Sequence, residues 1–381
     1  MIIIHLITFI SIVIYLVSLI IFRWGLNHPR QQRTADLPTI SIVIAVKNEA
    51  VNLPRLIKQL TSQNYPSEKF EIVIVDNDST DETLTILQNE AAKNTNLRIF
   101  TTRTEEMPYR HKKAALAVGI REARGEVILT TDADCSMGKD WARTMASYFT
   151  DDVGIVVGFS AIRYLNDWFS RLQALDYLQL MAAAQGSTNL GLAWACSGQN
   201  WAFRKVLFEN AGGYMLVRDR VGGDDSLFMQ VMQKRTRTKV VFAADEAAWV
   251  ETQAADSLAT FLRQRIRWAS EANYMHHFNC LFFVVILATF LANLMPIVYF
   301  VLAITGVVTF IPFLIIIAIK LIGEATLAFK AIRVYQRKDL MGVFIPWFII
   351  QPFYIVLMGI LSFGGNRLDW GHRSSSHDSV K

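Results

Sequence analysis

Residues 2–22 are apolar except for His5, Thr8, Ser11, Tyr15 and Ser18, and few structures accommodate a run of that length. A bilayer core is roughly 30 Å thick and takes about 20 apolar residues of helix, so a membrane helix is the expected outcome. A cleavable leader would start with basic residues and end at a small-residue cleavage site, and neither is present. The basic residues Arg23, Arg30 and Arg33 instead follow the run, which places the N-terminus outside and the next segment in the cytoplasm. Residues 1–24 are therefore expected to form a retained anchor.

Three more apolar runs, at about 281–304, 307–329 and 343–363, make residues 279–381 a second membrane region. They account for a composition, 52% hydrophobic and 19% charged, that is too apolar for a purely soluble chain. Lys320 and Glu324 lie four apart in the second of these runs, where they can pair on one helix face or snorkel towards the interface. Lys330, Arg333, Arg337 and Lys338 are expected on the cytoplasmic side. Four crossings would carry the tail outside, whereas Arg367, His372, Arg373 and Lys381 favour the inside, and one re-entrant segment would reconcile the two. Three scattered cysteines, Cys135, Cys196 and Cys280, support neither a disulfide framework nor a zinc site. The adjacent His276 and His277 suit an interface, and a net charge of +5 without a clustered basic face argues against nucleic acid as a partner.

Between the apolar ends, at 38–256, short β-branched runs alternate with helical segments. Strands are expected at 40–46, 71–76, 97–101 and 126–131, with helices at 49–60 and 112–123 and an N-cap at Asp78, Ser79 or Thr80. This alternation implies an α/β, doubly wound sheet with right-handed crossovers. A further strand at 154–159 and a helix at 168–184 follow. Residues 257–278 contain a segment, 258–272, whose apolar side and Arg263, Gln264, Arg265 and Arg267 suggest an amphipathic helix at the membrane surface.

Ligands of such sheets bind at the carboxyl ends of the strands, where Asp76 and the Asp132-Ala133-Asp134 pair fall. No G-x-G-x-x-G opens a helix after the first strand, which argues against a dinucleotide. On a continuing strand Asp132 and Asp134 would share a face, suiting Mg²⁺ or Mn²⁺ together with substrate phosphates. Asp224 and Asp225, after Gly222-Gly223, either favour a helix dipole or supply a base whose pKa is raised by its neighbour. Arg267-Trp268 fits a bilayer anchor, or a phosphate clamp beside a stacking platform, and the residues alone favour the anchor.

From Ile40 to about Ala272 the chain resembles glycosyltransferase family 2, in its membrane-integrated branch that includes cellulose, chitin and hyaluronan synthases and ceramide glucosyltransferase. The resemblance rests on seven pieces in the family's order: 44–49, 75–81, Lys112 before Ala115-Leu116, 131–134, 198–204, 223–225 and 264–268. It implies a GT-A (Rossmann-like) catalytic domain that binds a nucleotide sugar, usually UDP-linked, and transfers it with inversion. By that likeness Glu49 and Asp76 contact the nucleoside, Lys112 approaches the phosphates, and Asp132 and Asp134 hold nucleotide and metal. Asp225 is then the catalytic base with Asp224 supporting it, and Gln264, Arg267 and Trp268 line the diphosphate and acceptor site. Two positions depart from the pattern: Ala45 stands where proline is frequent, and Asp224 where glutamate is usual.

The expectation is a membrane-bound transferase with a cytoplasmic catalytic domain and a lipid or lipid-linked acceptor. A processive polysaccharide synthase is the alternative, since the Gln-Arg-Trp motif is common in such enzymes. A nucleotidyltransferase would leave residues 264–268 unexplained. A non-catalytic membrane scaffold or export subunit is the reading from another class. A partner subunit in the membrane would be needed if a polymer channel is to be completed.

Overall fold

The computed structural model describes residues 1–28, 31–103, 108–109, 111–163 and 167–363. Arg30 and the tail residues Arg367, His372, Arg373 and Lys381 lie outside the described residues.

Strand β1 (Ile40–Val46) is buried at every position, because its two faces feed two different cores. Ile40, Ile42, Ile44 and Val46 pack with Leu53, Leu56, Ile57 and Leu60 of α2 (Leu53–Thr61). Val43 and Ala45 face the opposite way, towards Ala115, Leu116 and Val118 of α4 (Lys112–Glu122). Such a strand needs helices on both sides, as in α/β proteins. Beside it lie β2 (Phe70–Asp76), β3 (Leu97–Thr101) and β4 (Val127–Thr130), all parallel. The sheet continues through β6 (Val153–Gly158), β8 (Trp201–Arg204) and β9 (Lys239–Ala243), in the order β3-β2-β1-β4-β8-β6-β9.

The parallel expectation stops at β8, which runs antiparallel to both β4 and β6. Trp201 pairs with Thr130, the last residue of β4, so the loop before β8 lies at the carboxyl edge of the sheet. The chain thus arrives at the binding edge and runs back from it. A second sheet, of β5 (Ser136–Met137), β10 (Val250–Gln253) and β7 (Ser160–Arg163), flanks that edge. The helix after β2 is α3 (Thr83–Ala91), and its expected cap is displaced. Ser79 Oγ accepts from Asn48 N, and Thr80 N donates to Asn48 Oδ1, so these residues lace two loops together instead. Short helices α5 (Trp141–Ala146) and α7 (Lys205–Asn210) complete the layers, and α8 (Ser226–Thr236) follows the acidic pair.

Among the described residues four helices are long and apolar enough to cross a membrane: α1 (Ile2–Gly25), α10 (Cys280–Ile304), α11 (Ile311–Val334) and the segment that ends in α12 (Phe344–Leu361). The link to the sheet is α6 (Trp168–Asn189), which packs on β7 and β9 on one side and on α1 and α11 on the other. At the α1 crossing a Cβ on Gly25 would lie 2.0 Å from Gly186 O, so only paired glycines allow the two backbones this close. One apolar core consequently runs from Val43 in the sheet through Leu178 to Leu19 in the anchor. The surface helix expected at 258–272 is α9 (Leu258–Tyr274).

Of the two readings of Lys320 and Glu324, pairing is the one observed. Lys320 Nζ lies 2.5 Å from Glu324 Oε1 and donates to Gln351 at 2.7 Å, while Tyr15 OH donates to Glu324 at 2.6 Å. The network joins α1, α11 and α12 and all four side chains are buried, so removing one charge strands the other. Glu324→Gln is expected to destabilise the detergent-solubilised chain by about 3–5 kcal/mol in denaturant unfolding, with Lys320→Met added to it restoring much of the loss.

His5 on α1 meets Tyr299 near the end of α10, while Trp194 stacks on Phe282 near its start, which defines a far end and a catalytic end of the bundle. Residue Asp339, just before α12, accepts from Arg171 of α6, and Ser362 just after it bonds Asn273 of α9. Both ends of α12 therefore abut elements of the catalytic end, the arrangement that a re-entrant segment requires. In a Cys280→Ser background, Phe363→Cys is expected to react with a membrane-impermeant maleimide from the same side as a cysteine at Arg33. Labelling from opposite sides would exclude that arrangement.

Candidate functional site

The parallel register sets the first half of the site. Val46, Asp76 and Thr101 are level across β1, β2 and β3, so the loops after them share one edge. Asp76 is fully buried, with Oδ2 accepting from Ser79 N at 3.3 Å and Oδ1 without a hydrogen-bond partner among the described residues. An unmet buried acceptor is costly, and a donor group from a ligand would satisfy it. Glu49 lies three residues beyond Val46, its backbone N–H held by Thr83 Oγ1 at 2.8 Å and its carboxylate accepting from Asn52.

The second half is electrostatic. Lys112, at the start of α4, reaches Asp132 Oδ1 at 2.7 Å and Asp224 Oδ2 at 3.1 Å. Burial alone would push the Lys112 amine down, but Asp132 and then Asp224 outweigh it and hold its pKa well above the usual value. The ammonium thus joins two carboxylates that are 92 residues apart in sequence (224 − 132). Asp134 does not share this arrangement. Strand β4 ends at Thr130, before the pair, so alternation no longer governs their direction. Asp134 is buried, with Oδ2 accepting from Thr252 Oγ1 at 3.1 Å, and its carbonyl accepts from Arg55 at 2.9 Å. Among the described residues no three His, Cys, Asp or Glu side chains converge as a metal cage.

Asp224 and Asp225 are neighbours with opposite behaviour. Burial raises the Asp224 pKa, but Lys112 and Lys113 outweigh that and hold it below the usual range. Burial, then the Asp224 charge, pushes Asp225 up to about 6, although Ser226 N and Gly198 N donate to it at 2.5 and 3.1 Å. Asp225 caps α8, as a helix-dipole role requires, and is also the acid poised near neutrality. Gly198 sits directly over the cluster, where a Cβ would be 3.4 Å from Lys112 Nζ and 3.5 Å from Asp224 Oδ2.

Helix α9 brings the third group. The Arg267 charge acts on both Asp224 and Glu271. Trp268 lies 5.8 Å from the Tyr177 ring, whose hydroxyl donates to Ser197 and Gln199 in the loop beside Gly198. Gln264, one turn earlier, makes no side-chain hydrogen bond among the described residues. The expectation that Arg265 belongs to the polar side is corrected: it is buried, 2.8 Å from Asp176 Oδ2, with its guanidinium over Trp268 at 4.3 Å and Phe261 at 4.9 Å. Among the described residues none of its guanidinium N–H groups is aligned for a hydrogen bond, so attraction to the carboxylate and the ring faces holds it.

Sequence reasoning missed Tyr177, Asp176, Lys113 and Glu271. The first two sit on a long, largely buried helix with no local motif. Lys113 is shadowed by Lys112, and Glu271 lies one turn beyond the Arg-Trp pair, the only signal that it shares their face. A cavity of about 540 Å³ beside Arg163, Trp249 and Glu251 contains none of the site residues. It opens on the Glu251 side of β10, whereas the alternating Thr252 faces Asp134.

Comparison with known proteins gives a consistent picture. The model of glycosyl transferase family 2 matches residues 41–212, and that of glycosyl transferase family group 2 matches residues 127–323, just over half of the chain. A beta-monoglucosyldiacylglycerol synthase of Nostoc sp. is 25% identical over 66% of this chain and 53% of its own length. A poly-beta-1,6-N-acetyl-D-glucosamine synthase of Staphylococcus aureus is 26% identical over 65% and 58%. The chain thus spans little more than half the length of these curated relatives. The mannosyltransferase PcManGT from Pyrobaculum calidifontis, solved in complex with GDP-Man and Mn²⁺, superposes with a TM-score of 0.61 at 19% identity, covering 94% of this chain and 99% of that one. At that identity the likeness concerns the fold, which is GT-A.

The Lys112 bridge can be tested without a substrate. Lys112→Met leaves Asp132 and Asp224 facing each other without a counter-charge, a loss of about 1–3 kcal/mol when both are ionised. Protonating either carboxyl relieves the repulsion. The variant's melting temperature relative to the unaltered chain is therefore expected to fall as pH is raised from 4 to 7, and a difference that does not change with pH would reject the bridge.

Proposed function

Because the chain belongs to glycosyl transferase family 2, we propose that it is a membrane-bound inverting enzyme that moves a sugar from a UDP-linked donor to a lipid or lipid-linked acceptor, with its catalytic domain in the cytoplasm. The observation that carries this reading is Lys112 bridging Asp132 and Asp224, with a second acid, Asp225, directly beside that bridge. Asp224 stays charged and anchors Lys112, whereas Asp225, near 6, takes a proton readily. A single displacement with inversion needs such a base on the acceptor side and positive charge on the donor side.

In the proposed reaction the acceptor hydroxyl attacks the anomeric carbon as the bond from that carbon to the diphosphate oxygen breaks. Asp225 takes the hydroxyl proton, and the electron pair of the broken bond leaves on the diphosphate. Lys112 and Arg267 supply positive charge there. Asp76, with its unmet Oδ1, and Glu49 suit the donors of a nucleobase and ribose. The carboxylate of Asp132, joined by that of Asp134 once it is released from Thr252, suits a hard divalent ion, and Lys112 already marks the Asp132–Asp224 region as one that favours a cation. Mg²⁺ or Mn²⁺ held there would neutralise charge on the departing phosphates. Trp268, half-buried on α9 and backed by the buried Tyr177, offers a ring for the acceptor beside Gln264.

Two features favour a lipid acceptor: the site hangs on α9, against α12, and the Nostoc relative is a glycolipid synthase. The Gln264 to Trp268 motif and the Staphylococcus relative keep a processive synthase as the second reading. Membranes given radiolabelled UDP-sugars should yield a single lipid-extractable product, and a ladder of long chains would decide for the polymer. Asp225→Asn should lower transfer by about 10²–10⁴-fold, the usual contribution of a general base. Undiminished transfer would remove Asp225 from the mechanism. A base raised to about 6 is inactive when protonated, so kcat/KM should rise tenfold per pH unit below about 6 and level off above it.

A further inference from the structure

Lys113 is completely buried, and among the described residues no carboxylate forms a salt bridge with it. Its amine donates to the carbonyl oxygens of Arg220 and Gly222, the latter at 2.6 Å. Burying an ammonium is expensive unless its donors are used, and here two are used on backbone just before the acidic pair. The other side of the same segment is gripped by α9. The Arg220 guanidinium donates to Ser270 O at 2.7 Å and lies 5.0 Å from the Tyr274 ring centre. The Glu271 carboxyl rests on Gly222 so closely that a Cβ there would be 1.7 Å from Oε1.

Resting on the transferase reading above, we propose that Lys113 and Glu271 are positioning residues that clamp the Arg220–Gly222 segment between α4 and α9 and so fix Asp225 against the acceptor. The division between adjacent lysines follows from the helix. Lys112 turns to the carboxylates and Lys113, about 100° further round α4, to the backbone of the loop that carries one of them. Glu271 shares a face of α9 with Gln264, Arg267 and Trp268, at spacings of seven, four and three. One helix face therefore both lines the site and steadies the loop that holds its base. Burial, and then the nearby Asp225 charge, pushes the Glu271 carboxyl up to about 8, so it is seated mainly as a neutral group that an amide can replace.

The test uses the full chain in lipid nanodiscs. Hydrogen–deuterium exchange across residues 219–226 should speed up in Lys113→Met and in Glu271→Ala, but not in Glu271→Gln. Turnover of UDP-glucose, UDP-N-acetylglucosamine or GDP-mannose should lose about 10- to 100-fold in kcat in the first two variants, as expected of roughly 1 Å of misplacement. Their donor KM should stay near the unaltered value, because Lys112 and Asp132 remain, and Glu271→Gln should recover kcat. Gly222→Ala should be slow by collision with Glu271, and the double variant Gly222→Ala/Glu271→Ala no slower than Glu271→Ala alone. Unchanged exchange in both single variants, or independent additive losses in the double, would overturn the clamp. Faster exchange with no sugar turnover by the unaltered chain would instead sink the transferase reading and leave the clamp standing.

Discussion

Burial of Arg265 against Asp176 fixes how the catalytic surface faces the membrane region. The guanidinium lies between the Phe261 and Trp268 rings on α9, and Asp176 also accepts from Trp347 and Tyr354 of α12. A single buried charge pair thus ties α6, α9 and α12 together. Turning Arg265 inward also dictates where the rest of α9 points: Gln264, Arg267 and Glu271 lie on a neighbouring stripe, from which Arg267 and Glu271 reach the acidic loop. Such a pair adds little to stability over apolar residues of the same shape, but it is unforgiving of any other orientation, since misplacement strands a charge.

From that fixed frame the electrostatics follow. Three elements deliver Lys112, Asp132 and Asp224 to one place, and the cation between the carboxylates offsets their mutual repulsion. Asp225, a single residue away, is left to burial and to its neighbour's charge, which is why two identical side chains differ in proton affinity. The reversed strand β8 serves the same edge, because its preceding loop supplies Gly198 over the cluster and Ser197 and Gln199 to Tyr177.

Much of this was legible in the residues. The β-branched runs place β1 to β4 to within a residue at each end, most plainly for β1 and β4, which are buried on both faces and read as continuous apolar runs. Asp76 and Asp132 are found at strand ends for the same reason. The same reasoning failed for Asp134, whose direction is set by a loop, and for the cap of α3, where Ser79 and Thr80 serve Asn48. Arg265 was misjudged because charge in a sequence implies solvent unless a partner is known, and Asp176 lies 89 positions away (265 − 176).

By itself, then, the sequence determined the quantities that depend on local order. These are four helices apolar enough for a bilayer, an α/β sheet between them, and carboxylates at its strand ends. Only the tertiary structure decided which charges meet. It placed Lys112 between Asp132 and Asp224, paired Arg265 with Asp176, seated Lys113 and Glu271 on the Gly222 loop, and returned α12 to the catalytic end. The physical reason is that hydrophobic periodicity is short in range and repeats along the chain. The partner of a buried charge is chosen by chain topology, which no local window of residues contains.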